Sequence, residues 1–205
     1  MARGNLLRNP LVWILFAGIA VGGVVQALRR EIPARSSGLG VVPAFSLVGA
    51  DGSPFARDDV RGKVWIGSFF FTRCRSQCPA LMSSLVEFEG RLRAGGDDVD
   101  LVSFSVDPEH DGPEQLRDYA ATMGIDLNRW ELVTGDLGAM RELILGGFQV
   151  PMGEREQLGD DLFDVAHSAK LVLVDRKGRI RGYYNADEAG MDELYARAHG
   201  LAAGR

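Results

Sequence analysis

From Lys63 to Phe71 the chain reads KVWIGSFFF, and only the first of these residues is charged. A run this apolar, too short to cross a bilayer and rich in aromatic and β-branched side chains, fits a strand buried on both faces. Such a strand needs cover above and below, and the sequence after it supplies that cover in alternation. Pro79–Arg93 has helical spacing at Leu81, Leu85, Phe88 and Leu92, Asp100–Val106 reads as a strand, and Pro113–Met123 as a helix with proline in its first turn. Trp130–Val133 is a short strand and Asp136–Leu145 again helical. Ala169–Asp175 and Arg179–Tyr184 pair as strands across Lys177-Gly178, and Glu188–Gly200 closes as a helix. Upstream, Ala44–Val48 and Pro54-Phe55 form a small hairpin around Ala50–Ser53. This order predicts an α/β fold, a mixed sheet with helices on both faces. The stretch Gly146–Ala166 has no sustained period and is expected to be a long functional loop leading into His167.

The amino-terminal segment has a different character. Pro10–Leu28 carries no charge, and as a helix it would reach about 28 Å, close to the hydrocarbon thickness of a bilayer. One N-terminal transmembrane helix is the expectation, with residues 1–30 as membrane anchor, 31–40 as a Pro-, Ser- and Gly-containing tether, and 41–205 as the domain. A cleaved signal peptide is the competing reading, but the run is long for one and ends in Gln26-Ala27-Leu28-Arg29-Arg30 without a small-x-small site. A buried helix of the domain is disfavoured by apolar residues on every face and by Gly18, Gly22 and Gly23. Arginines flank both ends, so charge leaves the orientation open. The net charge of -5 excludes the basic footprint of a nucleic-acid binder.

The chemistry concentrates at Thr72-Arg73-Cys74-Arg75-Ser76-Gln77-Cys78-Pro79, between the buried strand and the first helix, and holds both cysteines of the chain. Cysteines four apart at a helix start lie about 6 Å apart at Cα, within reach of a disulfide. Helix N-terminal amides together with Arg73 and Arg75 favour the thiolate, the form that attacks disulfides and binds metal. A passive disulfide is the bland alternative, but one closing so small a loop constrains the unfolded chain little.

A structural zinc site wants four closed ligands, commonly two cysteine pairs or cysteine and histidine pairs, whereas this chain has one pair of sulfurs and three histidines. Two thiolates with one imidazole form a soft, low-coordinate set suited to Cu(I). His167 stands at a strand entrance, although a lone histidine is more often structural than a ligand. His110 sits in a polar loop and reads as solvated, and His199 lies on a surface-type helix. Met82 reads as core and Met152 as a loop residue.

Phe69–Met82 (FFFTRCRSQCPALM) resembles the F-T-x-C-x-x-x-C-P signature of the Sco/SenC proteins, copper-binding relatives of thioredoxins and peroxiredoxins. Ser105–Ala120 (SVDPEHDGPEQLRDYA), Trp130–Gly135 (WELVTG) and His167–Tyr184 (HSAKLVLVDRKGRIRGYY) resemble further segments of that family in the same order. The resemblance implies a thioredoxin-like fold, copper held by Cys74, Cys78 and His167, and a domain outside the cytoplasm on an N-terminal tether. It also implies a partner, the copper A subunit of cytochrome c oxidase. One departure is Ala166, where the family commonly has aspartate before the histidine; Asp164 stands two residues earlier. Two function classes follow: a metallochaperone for the copper A centre, and a membrane-anchored thiol–disulfide oxidoreductase using Cys74 and Cys78 as its redox pair. A peroxidase is weaker, since no separate peroxidatic motif is apparent.

Overall fold

Val64–Phe70 forms the central strand, and all seven of its residues are buried. In the computed structural model, residues 39–75, 77–157, 163–167 and 170–204 are described, with the backbone alone described in 152–157 and 163–167. In chain order the strands are β1 (Ser46–Gly49), β2 (Pro54–Ala56), β3 (Val64–Phe70), β4 (Val99–Ser105), β5 (Trp130–Thr134), β6 (Met152–Gln157), β7 (Phe163–His167), β8 (Lys170–Val174) and β9 (Ile180–Asn185). The helices are α1 (Cys78–Ala94), α2 (Pro113–Met123), α3 (Leu137–Arg141) and α4 (Glu188–Ala202). Seven strands make one mixed sheet in the order β2-β1-β5-β4-β3-β8-β9. Only β3, β4 and β5 run parallel, joined by α1 and α2 as crossovers. Gly38–Arg205 forms one compact unit.

Alternation along β3 divides the core. Trp65, Gly67 and Phe69 share one face, where Phe69 stacks on Phe104 at 5.9 Å and Phe148 lies 5.0 Å from Phe104. Phe148 follows α3 and the π-helical turn Glu142–Gly147, which cover this side. Ile66, Ser68 and Phe70 point the other way, and Phe70 meets Tyr119 of α2. α1 buries Leu81, Leu85, Phe88 and Leu92, the predicted stripe. It is joined to α4 by Phe88 against Tyr195 at 6.2 Å and by Arg91 with Asp192 at 2.9 Å. The expected helices on both faces of a mixed sheet are therefore present.

The strongest difference from expectation lies in the stretch without period. Glu142–Gly147 winds as a π turn continuing α3, and Met152–Gln157 pairs antiparallel with Phe163–His167 as a separate hairpin. MGEREQ carries no alternation of apolar and polar residues, so this strand left no periodic signal. Its register also shifts between Met152 and Arg155, an irregularity that blurs any period of two. Gly147 is required by packing: a Cβ there would stand 2.8 Å from the Pro43 ring.

At the β8–β9 turn, Gly178 takes φ 74°, which its lack of a Cβ permits. Asp175 ties the turn, its Oδ1 accepting from the Lys177 and Arg179 amides at 2.9 and 3.0 Å. His199, expected to be a plain surface residue, has Nδ1 2.7 Å from Asp97 Oδ1 and thereby links α4 to the turn after α1. Among the described residues no helix is long and apolar enough to cross a membrane. The expected anchor Pro10–Leu28 lies outside the described residues.

Candidate functional site

α1 begins at Cys78 in an unusual way. The N-cap residues of α3 and α4, Asp136 and Asp187, accept from the amides of Ala139 and Gly190 with their own side chains. Gln77, which precedes α1, caps nothing with its side chain, and Pro79 removes one of the first amide donors. The Cys78 amide instead donates to Cys74 Sγ at 3.3 Å. A sulfur thus takes the place of the capping oxygen, and the positive end of the helix is turned toward it. Both cysteines are thiols, Cys74 at 5% exposure and Cys78 at 0%.

The turn carrying Cys74 is fixed from below. Its amide donates to Phe71 O at 3.2 Å, and Thr72 is held by Asp111, which accepts from Thr72 Oγ1 at 2.5 Å and from the Thr72 amide at 3.1 Å. Ser105 Oγ donates to Asp111 Oδ2 at 2.6 Å, and the Asp107 amide donates to Ser105 Oγ at 3.1 Å. Asp107 and Asp111 are both fully buried. Burial pushes the Asp111 carboxyl above the usual carboxylate range; the hydrogen bonds from Ser105 and Thr72 pull it back, and the charge of Asp107 adds to the rise.

Arg73 is paired with a buried carboxylate beneath the turn. Its Nη2 lies 2.8 Å from Asp107 Oδ2. Arg75 is exposed.

His167 is the last residue of β7, with its backbone opposite Met152. Three residues later β8 begins, and β8 runs antiparallel to β3. Its beginning therefore lies at the sheet end from which the Cys74 turn departs. The His167 side chain lies outside what is described, and among the described residues no three His, Cys, Asp or Glu side chains gather around a metal-sized space. His110 is exposed and Met82 is fully buried in the core.

The support network of Thr72, Ser105, Asp107 and Asp111, and the nearby Tyr119, are what sequence reasoning missed. A usable signal existed. β3 and β4 are parallel neighbours, so the segments after their carboxyl ends must meet, and Asp107 and Asp111 follow β4 as Cys74 follows β3.

A mixed sheet with β3, β4 and β5 parallel, a cysteine pair at the amino end of α1 and a strand hairpin closing into α4 define a thioredoxin-like protein. Residues 34–203 match the SCO1/SenC family, and the chain belongs to it. A Stutzerimonas stutzeri protein named as a candidate copper-binding protein is 32% identical over 71% of this chain and 69% of its own length. The crystal structure of a SCO1/SenC family lipoprotein from Bacillus anthracis superposes with a TM-score of 0.73 at 27% identity, covering 82% of this chain and 98% of that one. BsSco, described as a member of the Sco family of cytochrome c oxidase assembly proteins and containing a disulfide switch, gives a TM-score of 0.70 at 28% identity. Its match covers 80% of this chain and 95% of its own.

Proposed function

We propose that this protein binds copper through Cys74, Cys78 and His167 and delivers it to the copper A subunit of cytochrome c oxidase. The observation that carries the reading is the Cys78 amide donating to Cys74 Sγ, with both sulfurs buried at one helix start. Two soft donors four residues apart, withdrawn from water, suit a thiophilic ion, and a donor amide favours the sulfur that carries negative charge. Copper is the cargo here, and the imidazole of His167 would complete the set. Support also comes from family membership, from the Stutzerimonas relative named for copper, and from the oxidase-assembly role given for BsSco.

The chain's own residues have separable tasks in this reading. Cys74 and Cys78 give up their protons and hold the ion. The α1 amide stabilises the Cys74 sulfur as an anion, and Asp111 keeps the Cys74 turn in position through Thr72. Pro10–Leu28 anchors the protein, with the domain on the face of the membrane outside the cytoplasm; the lipoprotein relative is in keeping with a membrane-attached domain.

A second reading, thiol–disulfide exchange on partner cysteines, is favoured by the adjacency of the two sulfurs and by the disulfide switch reported for BsSco. Copper binding needs three ligands and exchange needs two cysteines, so His167→Ala separates them. The variant is expected to lose copper and fail to support oxidase assembly at low copper supply, while still forming and breaking the Cys74–Cys78 disulfide. A fully active oxidase with this copper-free variant would leave the dithiol as the carrier of function.

A further inference from the structure

The end of the sheet opposite the cysteines, where the chain enters the domain, is cationic. Arg57, Arg61, Arg176 and Lys177 surround a recess of about 240 Å³ whose apolar lining is Val60 and Trp65. The Gly62 amide donates to Arg176 O at 3.2 Å, so the turn before β3 and the β8–β9 turn are held together there. Arg61 is paired with Asp58 at 3.0 Å, and Asp59 accepts from the Ala56 amide. The other three cations have no carboxylate partner among the described residues: Arg57 donates to Val42 O, and Arg176 to the Leu201 and Ala202 carbonyls at the end of α4. In a chain of net charge -5, uncompensated positive charge is thus gathered at one end of the domain. Beside it stands Val41, 55% exposed, the most exposed large apolar side chain among the described residues. Its backbone bridges to Arg179, and a Cβ on Gly178 would lie 3.9 Å from its Cγ1. An exposed apolar side chain bordered by cations suits the boundary between lipid headgroups and acyl chains.

We infer that this end of the domain docks on the membrane, the recess taking the phosphate of an anionic lipid headgroup and Val41 entering the interface. Charge complementarity selects the occupant. Chain length supports it: residues 29–37, between the uncharged run and the compact unit that begins at Gly38, reach about 30 Å at full extension and carry Arg29, Arg30 and Arg35 against Glu31. The inference rests on the reading of Pro10–Leu28 as a membrane anchor. Its consequence is orientation. β3 runs from this end toward the cysteines, and its seven residues span about 20 Å, so a docked domain holds the Cys74–Cys78 turn away from the lipid.

The test uses full-length protein in nanodiscs of phosphatidylcholine alone or mixed with phosphatidylglycerol, pulse-acetylated and read lysine by lysine. Lys177 lines the recess, and Lys170 begins β8 at the cysteine end of the sheet. Docking is expected to slow acetylation of Lys177 about fivefold in the anionic discs and to leave Lys170 unchanged. High salt should abolish the difference. Arg61→Gln and Val41→Ser, both at exposed positions, should each reduce the protection. Equal rates at Lys177 in the two discs, equal slowing at Lys170, a difference that survives high salt, or protection untouched by both substitutions would overturn the inference. Should the protein enter neither disc, the anchor reading fails, and flotation decides for the surface. Flotation of the full-length chain with phosphatidylglycerol-containing but not with neutral vesicles supports docking, and any other pattern overturns it.

Discussion

Asp111 holds Thr72 at two points, one oxygen accepting from the hydroxyl at 2.5 Å and the other from the backbone amide at 3.1 Å, across 39 residues of chain. Thr72 stands two residues before Cys74, so this grip decides where the sulfur is presented. Asp111→Ala leaves three donors without their acceptor: the half-buried Thr72 amide and hydroxyl and the buried Ser105 hydroxyl. A loss of about 2–4 kcal/mol is expected. Urea denaturation of the reduced protein measures it, with exposed Asp118→Ala as the control, expected to change stability by less than about 0.5 kcal/mol. Equal effects from the two substitutions would show that Asp111 bears no special weight.

How far the sequence discloses this arrangement differs from element to element. β3 was readable to within a residue at each end because burial on both faces writes an unbroken apolar run. α1 was readable because its core stripe recurs at helical spacing. β6 and β7 left no such signal, since MGEREQ follows no period and the pairing is irregular. Asp107 and Asp111 look like solvated loop residues in the sequence, and only the parallel pairing of β3 with β4 reveals why they are buried. His199 depends on Asp97, 102 residues away, a distance at which local pattern is silent. Cys74 and Cys78 stood out by type and spacing; that a sulfur accepts the helix's first amide emerges only from the three-dimensional geometry.

Asp175 provides a prediction in pH. Its burial acts to raise the carboxyl, but hydrogen bonds from the Arg179 and Lys177 amides and the Arg179 guanidinium outweigh it and hold the group below its ordinary 3.8. The folded protein therefore binds this proton more weakly than the unfolded chain does. The resulting stability is present above the unfolded value and is lost as pH falls through the folded one. Asp175→Asn should cost about 1–2 kcal/mol at neutral pH. The gap to the parent should close as the pH falls below about 4, the ordinary range of the group. Thermal melts between pH 7 and pH 3 check this, and a gap independent of pH would assign the cost to packing.

The uncharged Pro10–Leu28 run yields a prediction for the whole chain. Full-length protein is expected to sediment with membranes and to resist extraction by high salt, since apolar burial rather than surface charge retains it. Recovery of mature protein in the soluble fraction with an N-terminus beyond Leu28 would establish a cleaved signal in its place.

The central claim is that the sulfur pair at the start of α1 holds copper. The direct measurement is the copper content of the purified full-length protein, anaerobically reduced, loaded with Cu(I) and stripped of loosely bound metal. One copper per chain is expected in the parent, and none in Cys74→Ser or Cys78→Ser, each folded as judged by circular dichroism. A parent protein that retains no copper, or cysteine variants that retain as much as the parent, would contradict the account.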